Sequence, residues 1–288
     1  MNNHTSIIQL TNTNDYHFSN ELLNALKDIQ WRIQSNNYLE LFAEIEGKTI
    51  IGIGISWLNA FHPHAKYVRV LSNNSSHTFI EKLLHTISPQ EHVIYSCWND
   101  DNATLELLQN WDFQLFRKTS METYNIIDLL VKMPTPPSSA TLLSLEEVLQ
   151  HPKQTEALFQ LVKLNYEKTH LHNRGKEMPW QMWKKELLED TPDLQLSYIA
   201  LEENEVVAYI FLHPSSATEY EVGWVGTSID FDLHIILSKQ LHKLKENGIL
   251  NVAFEVDTTD FHASQFMNLL TLSEKKSWNS YIYKPNLV

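Results

Sequence analysis

Apolar and polar positions along the chain keep two different periods, and the order in which the periods occur is used twice. Residues 38–57, "YLELFAEIEGKTIIGIGISW", read as strand, charged turn and strand, and "AKYVRVL" continues as a third strand. In "HTFIEKLLHTI" the apolar residues fall at helical spacing; "HVIYSCW" returns to a strand, "DNATLELLQNWDF" to a helix, and "KTSMETYNI" to a strand. The second half repeats this: "QLSYIALEENEVVAYIFLHP", "YEVGWVG", "LHIILSKQLHKLKENG", "NVAFEVD", "DFHASQFMNLLTL" and "SWNSYIYKP" match in order and length. With helical entry segments at 19–34 and 153–189, each half reads α-β-β-β-α-β-α-β.

Such alternation predicts an α/β chain with mixed sheets and an internal duplication. The stretch "KMPTPPSSA" cannot continue a helix or a central strand. It sets expected boundaries at 1–132 for an N-terminal domain, 133–140 for a linker and 141–288 for a C-terminal domain.

Composition narrows the functional classes. The net charge of −13 argues against nucleic acid and against anionic membrane surfaces as partners, and admits a cationic one. No apolar run reaches membrane-span length, and the single cysteine, Cys97, fits a reducing compartment, so the expectation is a cytoplasmic protein. The pairs His62/His64 and His170/His172 have a spacing found in metal sites, but no second ligand cluster accompanies either, and no metal is expected.

The element order and its short motifs resemble the Gcn5-related N-acetyltransferase (GNAT) superfamily, as a tandem member, over nearly the whole chain. The resemblance implies a splayed mixed sheet that admits acetyl-CoA. It also implies a diphosphate site on the helix following the fourth strand of each domain, where free N–H groups favour anions. Laid on the family signature without gaps, Ser75 and Asp232 fall on its Arg/Gln position. Thr78 and Ile80, and in the second half Ile235 and Leu237, fall on its small-residue positions. None of the seven glycines lies in 71–80 or 228–241, and the second turn, "GTSIDFD", carries two acids. The later family motif places an Asn at Asp101, or one residue on at Asn102, and at Asp260; its tyrosine falls on Leu108 and Met267.

The implied activity is acetyl transfer from acetyl-CoA to an amine of a small molecule or peptide. Eleven acids with no Lys or Arg across 186–238 make a cationic amine the expected acceptor. The resemblance places cofactor contacts at Val225, Gly226 and Thr227, and in the first half at Val70, Leu71, Ser75, Ser76 and Asn102. Gly223 and Gly226 fit a bulged fourth strand. Glu219 and Glu221 share one strand face and are the candidate bases. Trp180 and Trp183, three apart on the entry helix, are the candidate substrate wall. The altered phosphate turns and missing tyrosines favour the alternative expectation: a catalytically inactive binding or sensing protein that keeps the fold.

Overall fold

The computed structural model describes residues 6–72, 75–86, 91–133, 139–266 and 276–285. It divides into two compact units.

Unit 1 begins with β1 (Ser6–Gln9), β2 (His17–Phe18), α1 (Asn20–Ala25) and α2 (Gln30–Gln34). The hairpin β3 (Glu40–Glu46) and β4 (Thr49–Leu58) follows, then β5 (Ala65–Leu71), α3 (Ser76–His85), β6 (His92–Trp98) and α4 (Asn102–Asn110). The alternation in β3 to β6 buries Leu41, Ile53, Ile55, Val68 and Val93 on the two faces of the sheet. α3 covers one face with Phe79, Ile80 and Leu83, three residues on one helical stripe.

Unit 2 contains most of β7 (Gln114–Asn125), then α5 (Ile126–Lys132), β8 (Thr141–Ser144), α6 (Leu145–Leu149), α7 (Pro152–Thr169) and α8 (Trp180–Glu189). It continues with β9 (Tyr198–Glu202), β10 (Glu205–Pro214), β11 (Glu219–Thr227), α9 (His234–Glu246), β12 (Asn251–Asp257) and a 3-10 turn at Ala263–Phe266. A capping box between Ser144 and Glu147 starts α6, and Pro152 opens α7, where its missing N–H costs nothing. The β9–β10 loop is the dipeptide Glu203-Asn204, with φ of 50° and 70°, the left-handed pair a two-residue hairpin needs. The last strand, β13 (Trp278–Tyr283), belongs to unit 1 from Asn279 on.

The strand order is β1-β3-β4-β5-β6-β13 in unit 1 and β7-β12-β11-β10-β9-β8 in unit 2. Each unit therefore contains a strand from the other half of the sequence, β7 from Arg117 on in unit 2 and β13 from Asn279 on in unit 1. β7 pairs antiparallel with β12 from Thr119↔Asp257 to Asn125↔Asn251, while Ser280 of β13 meets Ser96 of β6 at 2.9 Å between hydroxyls. The unit boundary thus falls at Phe116/Arg117, ahead of the proline-rich stretch, of which residues 134–138 lie outside the described residues.

Several elements depart from the sequence pattern. The edge strands β1 and β8 are added, pairing with β3 and β9 in equivalent places. The entry segment 153–189 is two helices, with residues 170–179 non-helical between them. The helix expected from "DFHASQFMNLLTL" shows only its 3-10 start, and its remainder, Met267 included, lies outside the described residues. No helix among the described residues is long and apolar enough to cross a membrane.

Candidate functional site

In both units two parallel central strands pair briefly and then part. In unit 2, β11 pairs with β12 only from Glu219↔Asn251 to Val222↔Phe254. Just past that point β11 is bulged: Ile210 of β10 faces Val225 and Leu212 faces Val222, so Gly223 and Trp224 together oppose one residue. Ser228 N–H donates to Val207 O at 2.8 Å on the β10 side. By the alternation of an antiparallel ladder, Gly226 also turns its N–H to β10, whereas Val225 and Thr227 turn theirs to the side from which β12 has departed.

A cleft of about 360 Å³ occupies that opening. One wall is aromatic. Tyr166 of α7 stacks on His170 at 3.8 Å and on Trp224 at 5.3 Å between centroids, with Trp183 buried behind them 5.0 Å from Tyr166. The others carry carboxylates: Asp190, Glu221, Glu255, Asp257 and Asp260 all line the cleft. Asp257 is neutralised, with Arg117 Nη1 3.3 Å from Oδ2 and the Thr119 hydroxyl donating to Oδ1. Burial, aided by Asp257 and Glu221, raises the Glu255 carboxyl above the ordinary range. Burial also raises Asp260, against the N–H donors of Ala263 and His262 that its carboxylate accepts.

His213 of β10 pairs in register with Glu221 and lies over the bulge, so close that a Cβ on Gly223 would meet Nδ1 at 2.5 Å. Its Nε2 is 3.3 Å from Asp190 Oδ2, the oxygen that also accepts Trp224 Nε1–H at 3.3 Å. Burial lowers the His213 pKa, outweighing the opposite pull of Asp190 and Glu221. The ring is therefore neutral at pH 7 and able to accept a proton. At the far end, Asn165 and His262 are each only 2% exposed, and Asn165 Oδ1 and His262 Nε2 have no hydrogen-bond partner among the described residues. His262 Nδ1 is 3.4 Å from Thr227 Oγ1, and burial holds its pKa at about 4.

Unit 1 has the same junction in another state. β5 pairs with β6 from Ala65↔His92 to Tyr67↔Ile94, β4–β5 runs without a bulge, and the parting is filled by side chains. The Tyr95 hydroxyl accepts from Val70 N–H at 3.2 Å and donates to Val70 O at 3.1 Å; Arg69 Nη1 donates to Ser96 O at 2.9 Å. A smaller cavity, about 250 Å³, remains outside this plug.

The residues marked from the sequence divide between these places. Glu221 and Val225 line the unit 2 cleft, whereas Glu219, paired with Asn251 where the strands are still joined, does not. Gly226 and Thr227 are buried at its inner end: a Cβ on Gly226 would meet Tyr209 Oη at 2.6 Å. Trp183 backs the aromatic wall; Trp180, the first residue of α8, is half-buried and outside the cleft lining. Val70, Leu71 and Ser76 line the unit 1 cavity. Ser75 starts α3 with its N–H on Ser72 Oγ at 2.9 Å, and residues 73–74 of that turn lie outside the described residues. Asn102 is the first residue of α4, and it is Asp101 that caps the helix through Thr104 N–H at 3.1 Å, as Asp260 caps the 3-10 turn in unit 2. His213, Asp190, Tyr209, Asn165 and His262 were not marked from the sequence; each reaches the cleft from an element remote along the chain. The pairing of "FLHP" with "YEVG" as neighbouring strands was the one available signal, since it brings His213 opposite Glu221.

The reacting end of acetyl-CoA fits unit 2, where bulged backbone faces a cleft. The diphosphate end does not fit there. Asp232 Oδ1 accepts the His234 N–H at 3.0 Å and lies 2.7 Å from His234 Nδ1, so the N-terminus of α9 is already supplied with an anion by the chain itself. Asp230, exposed on the same turn, adds a second negative charge.

No family model matches the sequence, and no curated protein matches it. Solved structures do match in fold. A GCN5-related N-acetyltransferase from Sphaerobacter thermophilus superposes with a TM-score of 0.58 at 11% identity, over 91% of this chain and 84% of that one. A tandem GNAT protein from the clavulanic acid biosynthesis pathway gives 0.54 at 8%, over 99% and 100%. The fold is that of a tandem GNAT protein. An acetyltransferase from the GNAT family from Colwellia psychrerythraea superposes with a TM-score of 0.52 at 10% identity, over 97% of this chain and 100% of that one. In GNAT terms, β5 and β11 are the two fourth strands, and α3 and α9 the helices that follow them.

Proposed function

We propose that unit 2 transfers an acyl group from a thioester, acetyl-CoA being the expected donor, to an amine held in the acidic cleft. One observation supports this most: the bulge at Gly223-Trp224 turns the Val225 N–H toward a cleft in which a neutral histidine, His213, stands over the same bulge. Acyl transfer needs a donor for the developing oxyanion and a base for the ammonium proton, both held in place beforehand. Val225 N–H is the backbone donor. His213 takes the proton, and the Asp190 carboxylate, 3.3 Å from Nε2, stabilises the protonated ring. Glu221, opposite His213 in the ladder, attracts the ammonium before it is deprotonated. Acetyl-CoA supplies the activated acyl group; Val225, Gly226 and Thr227 are the backbone that would lie along it. With Asp232 on α9, its phosphates have no N–H nest to rest on in this unit, which predicts a weak donor KM. The rival reading, a binding protein without chemistry, draws support from that same feature.

Thiol release from acetyl-CoA in the presence of a panel of primary amines, with mass detection of the acetylated product, tests the proposal. His213→Ala is expected to lower kcat about 10²–10⁴-fold with the fold intact. Because burial depresses the histidine's pKa, the acid limb of the kcat profile is expected below pH 6.5. No thiol release with any amine would overturn the enzymatic reading.

A further inference from the structure

The unit 2 cleft holds more negative charge than one ammonium requires. Arg117 pairs with Asp257 and also favours the charged form of Glu255, but among the described residues no Lys or Arg lines the cleft beside Asp190, Glu221 or Asp260. Asp190, Glu221, Glu255 and Asp260 form two groups. Asp190 and Glu221 flank His213 on the β10 side, while Glu255 and Asp260 come from β12 and the turn beyond it. All four line the same cleft of about 360 Å³, so one small molecule can span the two groups. The carboxylates are not set for a metal: among the described residues no three His, Cys, Asp or Glu side chains converge as ligands.

Two further features point to an organic ligand. Tyr166 and Trp224, stacked on each other, both line the cleft and give it an aromatic side suited to the methylenes beside a cationic nitrogen. In addition, Asn165 Oδ1 and His262 Nε2 are buried at the inner end without partners, which is costly unless a ligand or water completes them.

We infer that the cleft takes an aliphatic dication, with one cationic nitrogen against Asp190 and Glu221 and the other against Glu255 and Asp260, and the chain between them along Tyr166 and Trp224. This rests on the reading that the cleft holds the acceptor, and it goes further by requiring two charges. A substrate with one ammonium would leave one carboxylate group unanswered in a partly desolvated cleft.

The test is a calorimetric titration of the full chain, without any acyl donor, with 1,4-diaminobutane, butylamine and 4-amino-1-butanol. The diamine is expected to bind at least about tenfold more tightly than either monoamine, and to lose that advantage at high salt. In Glu255→Gln, checked for an unchanged melting temperature, the diamine affinity is expected to fall to that of butylamine. Equal affinity of diamine and monoamine in the wild type would overturn the inference, as would a Glu255→Gln variant that keeps the diamine preference. Because no donor is present, the two readings fail separately. Diamine binding without acetyl transfer would sink the enzymatic reading alone, and transfer to monoamines without diamine preference would sink this one alone.

Discussion

The two places where a central parallel pair parts, β5/β6 in unit 1 and β11/β12 in unit 2, hold equivalent positions in the element order and differ in what fills the gap. In unit 1 the Tyr95 hydroxyl bonds both the N–H and the carbonyl of Val70, and Arg69 ties across to Ser96. In unit 2 a bulge, two strand glycines and a cleft of about 360 Å³ stand in the equivalent position. The difference teaches that the parting itself does not make a site. Backbone donors exposed by a splay are available only while no side chain takes them, and unit 1 has spent its own on internal hydrogen bonds. A second contrast runs the other way. Among the described residues, no side chain caps α3 of unit 1 and its first turn carries no acid, whereas α9 of unit 2 carries Asp232. The unit with the open chemistry has the closed anion site.

The comparison breaks most directly at Gly226. A side chain there would meet Tyr209 Oη at 2.6 Å and Cζ at 2.8 Å, driving both into the inner end of the cleft. Gly226→Val is expected to abolish diamine binding and acyl transfer, more than 100-fold in kcat/KM. Overpacking should also lower stability by about 1–3 kcal/mol, read as a drop in Tm. Activity that survives the substitution would mean that unit 2's opening is not the site.

Much of this architecture is written in the sequence because both units rely on periodic burial. The hairpins β3–β4 and β9–β10, the helices α3 and α9 and the duplication all follow from apolar spacing and turn residues, and the bulge from Gly223 and Gly226 in "VGWVG". The exchange of β7 and β13 is not legible, because β7 and β12, and β6 and β13, lie many elements apart and leave no local mark. The cleft is half legible. Glu221 and Trp183 stand out as a strand acid and a helix aromatic. His213, Asp190, Asn165 and His262 look ordinary in "FLHP", "LEDT", "KLNY" and "DFHA", and gain meaning only when β10, α7, α8 and the turn after β12 converge. Glu219 shows the limit from the other side: it shares a face with Glu221, yet it sits where the strands are still paired.

A smaller effect sharpens the comparison through acid. His262, two residues after the capping Asp260, lines the unit 2 cleft; Ala103, two after the capping Asp101, lines the unit 1 cavity. With its folded pKa at about 4 and an unfolded value near 6.5, His262 binds its proton more readily in the unfolded chain. Stability is therefore lost as pH falls from about 6.5 to 4 and the loss levels off below, up to about 3 kcal/mol in all. Chemical denaturation across this range should show the decline, and His262→Gln should flatten it. An unchanged slope would mean that the histidine is not held neutral, and that the buried end of the cleft is wetter than its exposure indicates.

The smallest expected effect tests unit 1 itself. Tyr95→Phe removes one hydroxyl from a buried site and leaves the Val70 N–H and carbonyl without their partner, at a cost of about 1–3 kcal/mol. If the plug is what separates the units, the variant should lose stability by that amount while acyl transfer, carried by unit 2, keeps its rate. The ring of Tyr95 still packs against Phe113 at 6.5 Å, so the core of unit 1 stays filled and the change isolates the hydrogen bonds. A gain of acetyl-CoA affinity in Tyr95→Phe would be the more informative result. It would show that freeing a single strand N–H is enough to open a binding site in unit 1, and that one hydroxyl rather than the fold withholds it.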